Sequence, residues 1–302
     1  MKPRHLLLLI VMNCFWAGAY SAFKSLAPQL DPGCLTTLRF GLAAILLLVC
    51  WPWLPGRAPR GGDLLKTLLM GVIVFVLAPR LQVAGVQQGQ AADAAVLMAL
   101  EPLITSLAAA MFLGEHVGPR RWLGFGCGLA GVILMAETWK PEFHLPSLTA
   151  NALFVASFVC EAAYSIMGQP LIRRAGLLKV LTLSLLAGAV LNGALDGRAT
   201  LAAAQRLTPA AWLLMAYLAL ICTLVGYVVW FVVIRETEVN VTALTVFIQP
   251  VVGVALATLA LHETLRWGQL WGSLAIVCGL VIALSRQIKL PGPPAREATG
   301  KP

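Results

Sequence analysis

Charge is what this chain lacks most. Only 12% of its 302 residues are Asp, Glu, Lys or Arg, about half the roughly 25% of an ordinary soluble domain. That is too little to coat a water-soluble globule, and 59% of the residues are hydrophobic. Catalytic inventory is equally thin. None of the four histidines (His5, His116, His144, His262) falls deep inside an apolar run, so an intramembrane serine would have no base. His262-Glu263-Thr264-Leu265-Arg266 opens like a zinc-protease motif without its second histidine. No Gly-x4-Gly-Lys-Ser/Thr is present, which removes ATP hydrolysis through a P-loop. The seven cysteines (Cys14, Cys34, Cys50, Cys127, Cys160, Cys222, Cys278) form no CxxC pair, and each lies in or at the end of an apolar run. They read as small packing residues, not as a disulfide or zinc framework. The expectation is a protein that is not an enzyme and carries no cofactor or metal.

What is there is a series of apolar runs. Candidate spans are His5–Phe23, Cys34–Leu54, Leu64–Val86, Ala91–Leu113, Trp122–Trp139, Leu148–Leu171, Leu177–Leu195, Ala210–Ile234, Val239–Leu261 and Trp267–Ser285. The seventh is the weakest, diluted by Gly188, Asn192 and Gly193. Ten helices of about 20 residues use about 200 residues. Nine loops and two tails share the remainder, so no appended domain of any size fits. Met1-Lys2-Pro3-Arg4 before the first run, with Ala17-Gly18-Ala19 after it, resembles a signal peptide with a cleavage site. The first span has a counterpart later in the chain, which argues that it is retained. The tail, 290–302, is rich in Pro and Gly and is expected to be disordered.

The net charge of +9 would suggest nucleic acid in a soluble protein. Here the basic residues sit in short loops, where they set topology, and no nucleic-acid partner is expected. Fifteen of the 22 Lys and Arg residues fall on one side, five (Lys24, Lys140, Arg198, Arg206, Arg266) on the other, and Arg39 and Arg80 lie within spans. The bias places both termini in the cytoplasm, which requires an even number of spans. Most tryptophans mark span ends, where indole prefers the interface; Trp16 and Trp230 do not.

An internal repeat gives the architecture. At a shift of 148 residues Glu101-Pro102 falls on Gln249-Pro250, Gly114-Glu115 on His262-Glu263, Gly124 on Gly272 and Gly131 on Gly279. At a shift of 144, Ala19-Tyr20-Ser21 falls on Ala163-Tyr164-Ser165. Each copy holds five spans, and an odd number sends the second copy into the membrane from the opposite side. The fold class expected is therefore an all-α polytopic membrane protein, with ten transmembrane helices as two inverted five-helix repeats. The first repeat is 1–139 and the second 140–289.

Leu38-Arg39-Phe40, Leu100-Glu101-Pro102, Leu113-Gly114-Glu115, Gln249-Pro250 and Glu263, in this order and partly duplicated, carry a resemblance to the EamA-type members of the drug/metabolite transporter superfamily. It covers nearly the whole chain. The resemblance implies ten helices, a central cavity and transport of small metabolites, often as export. Arg80, Gln82 and the run Gln87-Gln88-Gly89-Gln90 have no match in the general family pattern.

Ionisable groups within a membrane ask for a role. Arg39 and Arg80 lie about 9 Å below the outer ends of their spans, and Glu101 and Glu161 lie nearer the midplane, about 15 and 20 Å in. In one reading an arginine binds an anionic group of a substrate, while Glu101 or, preferably, Glu161 carries protons or meets an ammonium. In the other, Arg39–Glu101 and Arg80–Glu161, or the swapped pairs, are structural. Asn13, Trp16 and Tyr20 share a face of span 1, Tyr164 is the repeat mate of Tyr20, and Tyr227 and Trp230 share a face of span 8. These aromatics suit either a cavity wall or ordinary packing. Pro102 and Pro250 predict paired helix kinks whose freed carbonyls can serve a ligand, and Gln249 is a candidate donor. Gly124-x3-Gly128 and Gly268-x3-Gly272 allow close helix contact, within the fold or in a homodimer.

The sequence therefore points to a secondary transporter. It would move a small polar or amphipathic metabolite, amino-acid-like or otherwise, across the inner membrane by alternating access, outward, with possible proton coupling. The rivals are a non-transporting scaffold or sensor subunit, in which four deep charges would have no purpose, and a channel, which would more typically be an oligomer lined by rings of like residues.

Overall fold

The computed structural model describes residues 1–82, 100–137, 139, 148–260 and 266–285. Their regular structure is helical throughout, with no strand among the described residues. Helix α1 is Pro3–Leu26, α2 Pro32–Val49 and α3 Gly62–Gln82. Then come α4, Glu101–Leu113, α5, Pro119–Met135, α6, Leu148–Arg174, and α7, Leu177–Ala204. Helix α8 is Pro209–Glu236. Helix α9 runs from Val239–Leu244 through a tight turn at Thr245–Phe247 into Ile248–Ala260, and α10 is Trp267–Leu284. Six helices are long and apolar enough to cross a membrane, and three shorter apolar ones join them.

Local chemistry fixes the boundaries. Prolines 3, 32, 119 and 209 open α1, α2, α5 and α8, a position where the missing N–H costs nothing and φ is already helical. At α8 the Thr208 hydroxyl also accepts from the Ala211 amide. Gly114, at φ +67°, ends α4 in the left-handed region. Pro250 cannot donate to the Val246 carbonyl, and the tight turn in α9 spans that residue. Pro102 is the second residue of α4, and the upstream half of its span, on which the kink expected there depends, lies outside the described residues. So does the glutamine run 87–90.

Two helices carry a widened π turn: α3 at Ile73–Leu77 and α8 at Tyr217–Val225. Such turns release backbone groups from the regular ladder and recur at functional sites. Ile73 and Tyr217 are 144 residues apart, the shift that also relates Tyr20 to Tyr164. Helix α7 departs from the expected boundary. It continues nine residues past Leu195, so Arg198, expected in an outer loop, stands within a helix beside Asp196.

Helices α5 and α10 cross closely through glycines. A Cβ on Gly124 would meet the Gly279 carbonyl at 3.1 Å, and one on Gly131 the Gly272 carbonyl at 2.6 Å. The glycine faces are thus consumed inside the fold. The order of contacts makes the two helices antiparallel. Beyond that crossing, α2 packs on α7, α1 on α8 and α9, and α6 on α3 and α4. One core joins Phe40, Phe75, Tyr164, Leu181 and Phe231 at the middle of the bundle.

Candidate functional site

A cavity of about 950 Å³, counting the space open to solvent, lies among the described helices. Seven helices line it: Trp16 from α1, Arg39 from α2, Gln82 from α3, Glu101, Pro102 and Thr105 from α4, Glu161, Tyr164 and Ser165 from α6, Tyr227 and Trp230 from α8, and Gln249 from α9. Arg39 is seven residues past Pro32, about 10 Å along α2.

The widened turns hold several of these groups. In α8 the Cys222 carbonyl accepts from Trp16 Nε1 at 2.8 Å, and the Thr223 hydroxyl accepts from Arg39 Nε at 2.8 Å. The Arg39 guanidinium also lies over the rings of Phe40 and Phe23, at 5.1 and 5.5 Å, a cation–π arrangement that stabilises charge away from bulk water. Glu161 receives one long contact, from Gln82 Nε2 at 3.4 Å. The charges acting on it are those of Glu101 and Arg39. Among the described residues neither glutamate, nor Arg39, has an ion-pair partner within 4 Å. The Arg39–Glu101 and Arg80–Glu161 pairs, direct or swapped, are not formed.

The floor is aromatic. Trp16 lies 6.0 Å from Tyr227 and 5.9 Å from Trp230, and Tyr164 lies 4.8 Å from Tyr227. Two of their polar handles bond within the wall: Trp230 Nε1 donates to Ser165 Oγ at 2.9 Å and the Tyr164 hydroxyl to the Tyr227 carbonyl at 3.0 Å. Asn13 is fully buried and stands behind the wall. Its Oδ1 accepts from Gln249 Nε2 at 3.0 Å, and its Nδ2 donates to the Leu9 carbonyl and toward Thr245 Oγ1. The side chain of Tyr20 lies outside the described residues.

Arg80 is the candidate that the fold does not bring to the cavity. Its Nη2 donates to Asn192 Oδ1 at 3.2 Å and pairs with Asp196, both on α7. Asn192 Nδ2 in turn donates to the Phe75 carbonyl in the widened turn of α3. The cluster therefore ties α3 to α7. Sequence reasoning missed Asp196 because hydropathy ended the seventh span one residue before it. Arg80→Ala and Asp196→Ala are each expected to cost about 1–2 kcal/mol of stability, since both side chains are about one-third exposed. The double variant should cost clearly less than the sum. Thermal unfolding in detergent measures this, and full loss of transport in a stably folded Arg80→Ala protein would return Arg80 to the substrate path.

Near the chain's N-terminus, ion pairs and helix caps tie the helix ends together. Glu236, ending α8, meets Lys2 at 2.6 Å, His5 at 3.6 Å and Arg4 at 3.8 Å. Arg121 on α5 pairs with Glu238 at 2.5 Å and donates to Asn240 Oδ1 at 2.7 Å and the His116 carbonyl at 2.8 Å. The Glu115 carboxylate caps α9, accepting from the amides of Val239 and Asn240 at 2.6 and 2.9 Å and from Asn240 Nδ2 at 2.7 Å. An acidic residue at a helix N-terminus is favoured by both the free N–H groups and the dipole.

A multi-helix apolar bundle around a polar cavity is an architecture that suits a membrane transporter. The family profile described as "EamA-like transporter family" matches residues 4–136 and again 148–285, and the chain belongs to that family. An uncharacterized transporter of Archaeoglobus fulgidus is 24% identical over 292 residues, covering 94% of this chain and 98% of the relative. A Streptantibioticus cattleyicolor protein named "Probable terminal-alkyne amino-acid exporter" is 25% identical over 260 residues, 84% of each chain. The uncharacterized inner membrane transporter YedA of Escherichia coli K12 is 24% identical over 286 residues, 92% of this chain and 89% of the relative. One crystal structure superposes with a TM-score of 0.77 at 18% identity, over 95% of this chain and 99% of that one. It shares the fold.

Proposed function

We propose that the protein is a secondary transporter that exports a small polar or amphipathic organic solute across the inner membrane by alternating access. Its ten helices form two inverted repeats, 1–139 and 140–289, with both termini cytoplasmic. The α5–α10 crossing supports the inversion. Gly124 and Gly272 are repeat mates, as are Gly131 and Gly279, and the contacts run Gly124 to Gly279 and Gly131 to Gly272. Mates that cross antiparallel are related by a two-fold axis perpendicular to the helices, hence in the membrane plane. The matched widened turns of α3 and α8 and the two family matches agree with the same operation. Inverted symmetry supplies a second state, in which the cavity opens at the termini end.

The observation that carries the function is the asymmetry of one cavity between two such halves. Three charged side chains line the cavity, and ion pairs between the halves join α1 to α8 and α5 to the start of α9. The binding residues are Arg39, Trp16, Tyr164, Tyr227, Trp230 and Gln249, with Asn13 positioning Gln249 and Glu161 and Glu101 exchanging protons. The relatives named as transporters, one for amino acids and one of the inner membrane, fit this reading. The test uses proteoliposomes loaded with small molecules from cell extract. Solutes of one class should leave faster when the same class is present outside. Release without such stimulation indicates a channel, and no protein-dependent release indicates a scaffold.

A further inference from the structure

A second cavity, of about 470 Å³ counting the space open to solvent, lies beside Glu236, the residue that meets Lys2. Helix α4 contributes Leu113 to its wall, α6 contributes Gln169 and Arg173, and the α8–α9 turn contributes Thr237 and Glu238. The two cavities share helix ridges. On α6, Glu161 and Ser165 line the central cavity, and Gln169 and Arg173 line the second; the four are spaced by four residues and stack along one ridge. On α4, Thr105 lines the first and Leu113 the second, with Ala109 midway at the same spacing. By helical rise the gap between the cavities is about 6 Å along α6 and about 12 Å along α4.

The layer in that gap is thin and dry. Ser106 and Ala109 of α4, and Val239, Asn240, Val241 and Thr242 in the first turn of α9, are all 0–1% exposed. The Ser106 hydroxyl has no hydrogen-bond partner among the described residues. A buried hydroxyl left unpaired costs free energy, so this layer carries a penalty that water or a passing polar solute would relieve.

The turn leading into α9 is pinned from two sides. Glu115 of α4 accepts from the amides of Val239 and Asn240. From α6, Gln169 Nε2 donates to the Ile234 carbonyl at 2.8 Å and toward the Thr237 carbonyl at 3.4 Å. Ile234 lies in the last turn of α8, where carbonyls lack a partner within the helix. Gln169 is 6% exposed, and a buried amide within a membrane bundle asks for a role. The internal repeat points to the same half of α6. The central cavity follows the second half of α1 through Trp16, Ala19 and Phe23. At a shift of 144, Ala19 and Phe23 fall on Ala163 and Met167, the stretch of α6 that leads to Gln169.

Resting on the transporter reading and its inverted repeats, we infer that Gln169 gates the half of the translocation path that runs along α6 from Ser165 to Arg173. While its amide holds the α8–α9 turn, the first turn of α9 stands between the two cavities. When the turn leaves, the cavities join, and the freed amide faces the passing solute.

The experiment uses full chains with a single cysteine, the seven native ones replaced by alanine, in inside-out membrane vesicles that present the face assigned to the termini. Ala109→Cys reports on the layer between the cavities. Val180→Cys, equally buried in the first turn of α7, reports on general loosening at that end. An impermeant thiol reagent is expected to react with Ala109→Cys at least tenfold faster than with Val180→Cys, and the reaction should stop trans-stimulated exchange in proteoliposomes. Adding Gln169→Leu, which cannot donate to a carbonyl, should speed reaction at Ala109→Cys at least tenfold further and leave Val180→Cys unchanged. Equal rates at the two positions, or exchange that survives modification of Ala109→Cys, overturns the path. Acceleration by Gln169→Leu at both positions, or at neither, overturns Gln169 as its gate and makes it a packing residue. Exchange by the unmodified wild-type protein persists in each of these cases; its absence overturns the transporter reading instead. Should Gln169→Leu fail to fold, Gln169→Met removes the same donor at closer to the original length and decides in its place.

Discussion

Replacing Arg121 with alanine is expected to unlatch the termini end of the bundle and to raise access to the cavity from that side at least tenfold. Arg121 is nearly buried, at 9% exposure, and joins α5 to the start of α9 through Glu238 and Asn240. Its loss strands the Asn240 side-chain oxygen and leaves Glu238 unpaired. Glu238 is half exposed and can turn to water, so the cost falls on the fully buried Asn240 oxygen, about 1–3 kcal/mol, and about 1.4 kcal/mol already shifts a two-state ratio tenfold. The penalty falls on the latched state alone, because these contacts bridge elements of the two halves that must separate for the cavity to open there. The measurement is the reaction rate of Thr105→Cys, on the cavity wall, with an impermeant thiol reagent supplied only at the termini end. A lowered melting temperature with an unchanged reaction rate would make Arg121 a helix-packing residue and not a latch. Glu115→Gln should act in the same direction more weakly, since an amide oxygen still accepts from α9 but the charge that favours the dipole is gone.

Span positions were legible because apolar runs and opening prolines are local features: Pro3, Pro32, Pro119 and Pro209 mark in the sequence where four helices begin. Helix α7 shows the limit. Hydropathy stops at Asp196, yet the helix continues to Ala204 because Asp196 is paired with Arg80 and does not need water. Depth alone put Arg39 and Arg80 in one class. What separates them is which helix stands opposite: α8, offering Thr223, for Arg39, and α7, offering a carboxylate, for Arg80. Sequence spacing carries no information on that. The widened turns left no signal either, since a released carbonyl such as Phe75 or Cys222 is tolerable only once Asn192 or Trp16 arrives from a distant segment. Glu115, by contrast, was visible as a motif but not as a cap, because the amides it satisfies lie 124 and 125 residues away.

Trp16→Ala is expected to abolish exchange and to cost about 4–6 kcal/mol of stability, the largest single-residue effect in the cavity floor. Removing a packed indole costs about 3–5 kcal/mol, and the bared Cys222 carbonyl adds about 1–3 kcal/mol, less any relief from water entering the gap. The indole lies flat on α8: a Cβ on Gly226 would come within 2.6 Å of its Nε1. That contact separates two roles. Trp16→Phe keeps the ring facing Tyr227 and Trp230 but loses the donor, so stability should fall by about 1–2 kcal/mol while most exchange survives. Gly226→Ala keeps the tryptophan but pushes it off the widened turn, and should reproduce the stability loss while weakening exchange further than Trp16→Phe does. Melting temperature in detergent and trans-stimulated exchange in proteoliposomes, measured on the same preparations, distinguish these outcomes. Wild-type exchange in Trp16→Ala would show that the aromatic floor is scaffold alone. Loss in Trp16→Ala with survival in Trp16→Phe places a ring face, and not an N–H group, against the cargo.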